Sequence, residues 1–410
     1  MAENAFKADW PSFALGFNTG KSKGGVELNI AYGDTPPEDD SKLWCKTTKP
    51  SGVVMTEYAD AIVLSEKMPE AHSEAGSAVV GSKIYVMQGR DYTGAASNKS
   101  FCFDTENETV SVLPDAPEPN VAPGAAAVGS KIYLFGGSSV KTGIYVFDTQ
   151  SQSYTKCGAT LPERRVFTSC EAVGDFVYIF GGGEDSFNTS RNTIYRYDTI
   201  NDEITELPIT LPNSTGGMGS VVIGSKIYLF GGSASTTGAR AESYCFDTET
   251  ETILSIEKLP TSLCCFGCAE VDGNIYILGG TSMYAVDSKS VNTVYRYDVD
   301  ANTYTKLSYT LAGKLKNMAC EAVNSQIYLL GGKKGDSYNN RSIERVSLRP
   351  RIDKDALLIQ TKTGSSRVKL INMETLSAEF SVFATYQGNE VNEGEPVESA
   401  IYNGTKWATI

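Results

Sequence analysis

The sequence predicts an all-β protein whose main body is a six-bladed β-propeller. Three observations support this prediction. The nine residues GSKIYLFGG occur twice, at 129–137 and at 224–232, and a near copy runs from Val173 to Gly182. The tyrosine of this stretch recurs at intervals of 45 to 52 residues. Each interval holds four short strands separated by turns, which is the size of one propeller blade.

The first half of each repeat is a strand of small residues, a tight turn and an apolar strand that ends at glycine. The anchor tyrosines of the apolar strand are Tyr85, Tyr133, Tyr178, Tyr228, Tyr276 and Tyr328. Two glycines follow five of these tyrosines, and Gln88-Gly89 follows the first. Because paired glycines interrupt a strand, they predict a turn at the end of the second strand.

The second half of each repeat contains an aspartate turn. The turns are Phe103-Asp104-Thr105, Phe147-Asp148-Thr149, Tyr197-Asp198-Thr199, Phe246-Asp247-Thr248 and Tyr297-Asp298-Val299. A bulky residue follows six positions after each aspartate, and a Leu-Pro pair such as Leu113-Pro114 closes several units. These signals predict a third and a fourth strand in every unit.

The ends of the repeat region predict how the ring closes. The sixth unit supplies three strands and then runs into Arg349-Pro350. Upstream of the first unit, residues 61–68 resemble an unpaired fourth strand, so we expect them to complete the sixth blade. The chain then divides into an N-terminal accessory segment at 1–56, the propeller at 57–350 and a C-terminal β-rich segment at 351–410, and we expect both termini to form a small accessory domain.

These motifs resemble the kelch β-propeller family over about residues 57–348. The matching features are the double glycine after an Ile-Tyr strand, the Tyr/Phe-Asp-Thr turn and the Leu-Pro boundary. The fourth-strand tryptophan common in kelch repeats is replaced by Val110, Tyr154, Ile204, Ile253 and Tyr304. The resemblance implies the propeller fold. The replacement of the tryptophan leaves this implication intact, because bulky apolar and β-branched residues also pack well between sheets.

Composition narrows the classes of partner. The formal charge is −13, and the 36 basic residues form no stripe, which argues against nucleic acid. No run of eighteen apolar residues predicts a membrane span. Nine cysteines without zinc-type spacing favour reduced thiols. Met1 to Phe17 shows no secretory signal, so we expect assembly in the cytoplasm.

The sequence predicts a non-enzymatic protein without cofactor or metal. His72 is the single histidine and has no nucleophile signature around it. The copper chemistry of galactose oxidase, another kelch-type propeller, needs more than one histidine. Cys170, Cys268 and Cys320 occupy small-residue positions of the innermost strands and are expected to be packing thiols. Glu171 and Glu321 are expected to line the channel, either as paired carboxylates or as a solvated wall.

The candidate binding surface lies where the loops after the second strands and the links between blades emerge together. Arginines beside aromatic residues are typical of recognition surfaces, and fixed strands position variable loops. The predicted ligand- or partner-binding residues are Arg90, Tyr92, Arg164, Arg165, Phe167, Arg191, Arg240, Tyr284, Tyr338 and Arg341.

Both termini carry aromatic motifs. Leu43-Trp44 precedes two threonines, and the chain ends with the motif Tyr402-Asn403-Gly404-Thr405-Lys406-Trp407 and three further residues. These elements resemble the two halves of short modules in bacteriophage and prophage tail-fibre proteins. The resemblance implies that Trp44, Tyr402 and Trp407 dock the protein to other virion proteins.

Two classes of function follow. The first is a phage or prophage virion structural protein, tail- or capsid-associated, that binds a host-surface glycan or protein; a homo-oligomer stays open. The alternative is a carbohydrate-active propeller of the sialic-acid mutarotase type, to which the kelch resemblance extends. Its candidate residues are Arg164, Arg165, Arg191 and Glu171. A cytoplasmic scaffold or adaptor is a further option.

Overall fold

The computed structural model describes residues 61–346 except 237 and 336, together with the backbone of short strands outside this range. The chain forms two compact units. One comprises Asp60–Ser347, and the other comprises Met1–Ala59 and Leu348–Ile410. Among the described residues, no helix is long and apolar enough to cross a membrane.

The unit Asp60–Ser347 is built around a ring of six four-stranded sheets. Blade 1 contains Gly76–Val80, Lys83–Arg90, Ala96–Asp104 and Thr109–Val112. Blade 2 contains Gly124–Val128, Lys131–Phe135, Gly143–Asp148 and Ser153–Thr160. Blade 3 contains Ser169–Val173, Phe176–Phe180, Thr193–Asp198 and Glu203–Thr210.

The next three blades repeat this order. Blade 4 contains Gly219–Ile223, Lys226–Phe230, Ser243–Asp247 and Thr252–Ile256. Blade 5 contains Gly267–Val271, Asn274–Leu278, Thr293–Asp298 and Thr303–Thr310. Blade 6 contains Ala319–Val323, Gln326–Leu330, Ser342–Asp353 and Val54–Lys67. Neighbouring innermost strands contact each other around the whole ring. The six-bladed all-β prediction is confirmed.

Short elements decorate the loops. They are the strands Ser233–Ser235, Gly238–Ala239, Leu315–Lys316 and Lys333–Lys334 and the 3-10 turns Phe187–Thr189 and Asp287–Lys289. In the other unit the backbone forms small sheets from Ala14–Leu15, Val26–Glu27, Ile30–Gly33, Leu43–Lys46, Ile359–Thr361, Gly364–Ser365, Arg367–Ile371, Glu379–Phe383, Thr385–Tyr386, Asn389–Glu390, Ala400–Tyr402 and Trp407–Thr409.

The last blade takes its outermost strand from the N-terminal side of the propeller. Val54–Lys67 lies beside Ser342–Asp353, at the place where the sequence had put residues 61–68. Directly after this strand, the Met68 N–H donates to the Arg341 carbonyl at 2.9 Å, and the Met68 side chain is fully buried. The two ends of the repeat region therefore share one sheet.

The core consists of apolar layers between neighbouring blades. At the blade 2–3 junction, Phe135 and Ile144 pack with Ile179, Tyr195 and Tyr197, and all five are buried. Burying one such side chain stabilises the fold by about 1.5–3 kcal/mol. Alternation along each strand aims these side chains at the adjacent blades.

The cysteines of the innermost strands fit the packing interpretation. Cys170 is buried, Cys268 and Cys320 are partly buried, and all three are free thiols. Burial raises the pKa of each thiol well above its ordinary value. A Cβ atom at Gly124 would lie 2.3 Å from Cys170 Sγ, so the innermost strands approach each other closely.

The turns between the first and second strands and between the third and fourth strands emerge at one end of the ring, which we call the turn end. Here the aspartate turn makes the same hydrogen bonds in successive blades, as blade 1 illustrates. Asp104 Oδ1 accepts the N–H groups of Glu106 and Asn107 at 3.0 and 3.2 Å. The Thr105 hydroxyl donates to the Ser82 carbonyl at 2.8 Å, which ties the two turns together. The Tyr/Phe-Asp-Thr motif is therefore structural.

The links between blades and the loops after the second strands emerge at the opposite end, the link end. The second glycine of each pair donates its N–H to a link carbonyl at 2.7–2.9 Å. The pairs are Gly89 with Asn120, Gly137 with Arg165, Gly182 with Thr215, Gly232 with Leu263, Gly280 with Leu315 and Gly332 with His72. Gln88 takes the first position in blade 1 with a φ of 57°, so only the second position is glycine in all six blades.

Candidate functional site

Six equivalent link residues surround the propeller axis in a closed ring of backbone hydrogen bonds. Each residue donates its N–H to the carbonyl of the preceding one at 2.8–3.1 Å, and the first donates to the last. In ring order they are Glu74, Ala122, Phe167, Gly217, Cys265 and Asn317. All six have φ between 51° and 61°. Five are not glycine, and such a backbone costs about 1 kcal/mol or more per residue.

Glu74 brings several of these links together. Its carboxylate accepts hydrogen bonds from Arg90 Nε at 2.9 Å, from the Tyr284 hydroxyl at 2.8 Å and from Asn317 Nδ2 at 3.4 Å. Its side chain is only 1% exposed. A buried carboxylate is stable only when it is paired and hydrogen-bonded. Arg90 and Tyr284, both predicted from the sequence, therefore lie in one polar centre.

Aromatic side chains from two loops and a link pack beside this centre. The Phe167 and Phe187 rings stack with their centroids 4.6 Å apart. Tyr284 meets Phe187 edge-on at 4.8 Å and Phe167 at 5.5 Å. We call Glu74, Arg90, Phe167, Phe187, Tyr284 and Asn317 the mouth cluster. Its members come from blades 1, 3 and 5 and from the links before blades 1, 3 and 6.

The loop that carries Tyr284 is held from several directions. Lys316 Nζ donates to the Tyr284 carbonyl at 2.7 Å and pairs with Asp287 Oδ1 at 2.8 Å. Lys333 Nζ pairs with Asp287 Oδ2 at 2.8 Å. Burial, assisted by the charge of Glu74, raises the pKa of Tyr284. Tyr284 is therefore a neutral donor toward Glu74 at neutral pH.

The loops of blades 3, 4 and 5 are joined to each other. The Ala239 N–H donates to the Ser282 carbonyl at 2.9 Å, and the Ala285 N–H donates to the Thr236 carbonyl at 3.2 Å. The Ser190 hydroxyl donates to the Ser233 carbonyl at 3.2 Å. These bonds fix the three loops against one another, so the mouth cluster has a defined geometry.

A second charged group, the rim cluster, lies at blade 3. It comprises Glu163, Arg164, Arg165, Glu184, Asp185 and Arg191. Arg164 pairs with Asp185 at 2.5 Å, and Arg191 pairs with both Glu163 and Glu184. Bonding to Arg191 lowers the pKa of Glu163. The surface pairs of this cluster contribute little stability, so their side chains are available for contacts.

Arg165 departs from the expected position on an accessible loop. Its side chain is fully buried, its guanidinium lies 5.2 Å from the Tyr195 ring centroid, and it donates to Thr193 and Tyr195. The physical reason is the link geometry, because the Arg165 carbonyl receives Gly137 N–H. The side chain thereby packs against the third strand of blade 3. Arg165 is a packing residue here and is left out of the proposed contact surface.

Of the other predicted residues, Tyr92 and Tyr338 lie at or beside the blade 1 hairpin, and Arg240 and Arg341 lie elsewhere on the link end. Tyr92 is 64% exposed at the tip of the blade 1 hairpin. Tyr338 lies near Gly94 of that hairpin, and Lys333 Nζ is 4.5 Å from its ring centroid. Arg341 Nε donates to the Met68 carbonyl at 2.5 Å. Arg240 is partly exposed, whereas its Nε atom is buried and has no hydrogen-bond acceptor among the described residues.

Of the residues named for the mutarotase alternative, Arg164, Arg165 and Arg191 share the rim cluster, whereas no described contact joins Glu171 to them. Glu171 lies on an innermost strand, and its carboxylate accepts a hydrogen bond from the Ser220 hydroxyl at 2.6 Å. Arg164 and Arg191 pair with rim carboxylates instead. Within residues 61–346, no group of three or more His, Cys, Asp or Glu side chains could hold a metal ion. The docking residues Trp44, Tyr402 and Trp407 lie outside the residues whose side chains are described.

Sequence reasoning missed Glu74, Asn317 and Asp287. Glu74 and Asn317 occupy the same link position as Phe167, which had been predicted. In every link, this position comes two residues after the one whose carbonyl accepts the glycine N–H. Aligning the links on it would have placed Glu74, Phe167 and Asn317 around one axis. Asp287 gives no comparable signal, because its loop has no counterpart of equal length in the other blades.

Comparison with known proteins identifies the class. The KLHDC2/KLHL20/DRC7 Kelch-repeats domain matches residues 72–214 and 167–343. These matches cover more than half of the chain, and the chain belongs to the kelch-repeat family. Kelch propellers generally bind protein partners.

Individual relatives match the chain only over short stretches or at low sequence identity. One F-box/kelch-repeat protein of Arabidopsis thaliana is 28% identical over 105 residues, which are 26% of this chain and 27% of that protein. A second one is 33% identical over 78 residues, or 19% of this chain and 15% of that protein. The chain thus matches less than a third of the length of either relative. The solved structure of YjhT has a TM-score of 0.58 at 13% identity and covers 70% of this chain and 99% of its own. This likeness concerns the fold alone.

Proposed function

We propose that this protein is a non-enzymatic recognition protein that binds a partner molecule at the link end, over the mouth cluster. The observation that carries the proposal is the convergence of three joined loops and several strained links on Glu74, Arg90 and Tyr284. Backbone strain of this kind gathers at functional sites, where surrounding structure maintains it. A fixed array of aromatic and charged side chains is the composition of an interface centre.

Exposed groups around the mouth cluster extend this surface. Tyr92 presents most of its ring to solvent, and the Arg240 side chain is partly exposed. A partner that carries a carboxylate would pair with the Arg240 guanidinium, and an apolar or C–H face of the same partner would pack on the Tyr92 ring. Both a protein segment and a glycan offer this chemistry.

The proposed setting is a bacteriophage or prophage virion, in which the propeller binds a host-surface glycan or protein. This part of the proposal rests on the terminal motifs around Trp44, Tyr402 and Trp407. In it, the termini form an accessory domain that docks to other virion proteins. Co-sedimentation of the protein with virus particles tests it: a Trp407→Ala variant should be lost from the particles while its propeller stays folded.

The binding function itself is tested by screening wild-type protein against a glycan array and a displayed peptide library. For any ligand recovered, Tyr92→Ala with Arg240→Ala should weaken binding by at least about 30-fold, since a contact hot spot is worth about 2 kcal/mol or more. The matched control is Ile200→Ser, because Ile200 is 72% exposed at the turn end. Equal loss in the control, or none in the double variant, would place the site elsewhere.

A further inference from the structure

Two carboxylates lie on innermost strands at opposite sides of the ring. Glu171 belongs to the innermost strand of blade 3, and Glu321 belongs to that of blade 6. The Ser220 hydroxyl of blade 4 donates to Glu171 Oε1 at 2.6 Å. The Ser77 hydroxyl of blade 1 donates to Glu321 Oε1 at 2.6 Å. Each carboxylate thus bonds the blade that follows it in the ring.

The two junctions are also copies in sequence. The letters CEAV stand at 170–173 and again at 320–323, and the letters GS stand at 76–77 and again at 219–220. In both cases the copies are three blades apart. These two equivalent junctions divide the ring into blades 1–3 and blades 4–6, which we call its halves. We call the junctions between the halves, 3–4 and 6–1, the seams.

The other four junctions carry no such pair. The positions equivalent to the two glutamates are Ala78, Ala126, Val221 and Ala269. The positions that they face across the junction are Ala125, Cys170, Cys268 and Cys320. Because apolar contacts suffice at these places, the fold does not require a carboxylate on this strand. The presence of the two glutamates therefore calls for a role that is specific to the seams.

The surroundings of both carboxylates disfavour a negative charge. Burial raises the pKa of Glu171 to about 7, and the charge of Glu321 adds to this effect. Burial likewise raises the pKa of Glu321 to about 7. The two sites interact, so their titration belongs to the pair.

The other titratable and charged groups near the seams do not neutralise the pair. The thiols of Cys170, Cys268 and Cys320 carry raised pKa values and stay protonated. Tyr178 and Tyr328 stand opposite Glu171 and Glu321 in strand register. The charged pairs Arg196–Glu251 and Arg345–Glu108 lie at the same seams, and each arginine is paired with its own carboxylate. His72 belongs to the link at seam 6–1.

We infer that the two Glu–Ser pairs are proton-operated clamps that hold the halves of the propeller together. In the protonated state each carboxyl is neutral and accepts the serine hydrogen bond. Loss of the protons strengthens each serine bond, but it leaves two negative charges buried at the innermost strands, where they repel each other and lack a cationic partner among the described residues. The cost of this buried charge exceeds what the serine bonds gain. The seams, and no other junction, then become weaker.

The direction of the pH dependence follows from linkage. The folded state holds these protons up to about pH 7, whereas the unfolded chain releases them near pH 4.5. Stability from this source is therefore complete below pH 4.5 and is lost as the pH rises through 7. His72 acts in the opposite direction, because burial lowers its pKa to about 4. Its neutral folded form makes stability fall as the pH drops from 6.5 toward 4.

The experiment measures the thermal midpoint of the full chain from pH 5 to pH 8.5 in wild type, in Glu171→Gln/Glu321→Gln and in the control Glu270→Gln. Glu270 also lies on an innermost strand, but its carboxylate accepts the Gly273 N–H within its own blade at 2.7 Å. We expect the double variant to gain roughly 5 °C on wild type between pH 5 and pH 8. The control should follow wild type, and the contribution of His72 cancels in the difference.

A second measurement separates the clamp from general charge effects. The infrared carboxylic-acid band of wild type should disappear with an apparent midpoint near pH 7 and be absent in the double variant. Ser77→Ala/Ser220→Ala should move this midpoint upward, since the serine bonds lower both pKa values. It also provides the test if the glutamine variant does not fold. Titration of both carboxyls near pH 4.5, or identical pH slopes in wild type and double variant, would overturn the inference.

Discussion

The turn end and the link end of the propeller have the same number of connections per blade but differ in how those connections are used. At the turn end, four blades repeat one arrangement, in which an aspartate holds its own turn and a threonine binds the neighbouring turn. At the link end, the backbone repeats in all six blades, whereas the side chains at the equivalent ring position range from Gly217 to Phe167 and Glu74. Repetition of side chains marks what the fold needs, and variation on a repeated backbone marks what this protein adds.

The largest effect is expected where the repeated backbone of the link end is broken. Gly232 has a φ of 90°, and a Cβ atom there would lie 2.3 Å from Thr215 Oγ1. Gly232→Ala should lower the free energy of unfolding by about 3 kcal/mol. Denaturant unfolding measures this loss. Gly238→Ala is the control, because nothing lies within 4 Å of its Cβ position; an equal loss there would refute the role of the link.

The next effect tests the polar centre of the mouth cluster. Tyr284→Phe removes the hydroxyl that donates to the buried Glu74 carboxylate at 2.8 Å. We expect a loss of about 1.5 kcal/mol, as for a hydrogen bond to a charged group. Urea unfolding of the variant provides the number. Unchanged stability would mean that Glu74 does not depend on Tyr284.

A smaller effect is expected at the turn end, where blade 5 offers a natural comparison. Thr149→Val removes the hydroxyl that donates to the Ser130 carbonyl at 2.8 Å and should cost about 1 kcal/mol. Blade 5 already has Val299 at this position, so the reverse change Val299→Thr should stabilise by up to about 1 kcal/mol. Calorimetry measures the change in the free energy of unfolding of both variants. A loss in Thr149→Val with a gain in Val299→Thr would confirm the shared role of the turn, and a loss in both variants would contradict it.

The mutarotase alternative can be separated from binding by chemistry alone. NMR exchange spectroscopy measures the interconversion of sialic-acid anomers with and without the wild-type protein. The binding proposal expects the same rate as in buffer. An acceleration that disappears in Arg164→Ala would support the alternative and contradict the proposed function.

The sequence allowed the propeller to be predicted because its signals are repeated and local. The glycine pair, the aspartate turn and the anchor tyrosine each act within one blade or between neighbours, so their spacing in the chain reflects their place in the fold. The fourth strand of the last blade could also be predicted, since the sixth unit contained only three strands and residues 61–68 formed a strand without a blade of its own.

The candidate site was less predictable because it forms from residues far apart in the chain. Tyr284 reaches Glu74, and Asn317 closes the ring beside it, although these residues share no local motif. Arg165 shows the opposite failure, because a loop arginine was expected at the surface and its side chain is buried. The length of a loop and the direction of a link decide whether a side chain is exposed or buried, and neither property follows from the type of residue.

The most direct test of the central claim, that the link end is the recognition surface, is a hydrogen-exchange footprint of the full chain with a ligand recovered from the glycan or peptide screen. We predict that the ligand slows exchange at the ring and loop amides of the link end, such as Glu74, Phe167 and Ala285, and leaves the turn end unchanged. Protection confined to the turns around Asp104 and Asp198, with no change at the mouth cluster, would contradict the claim.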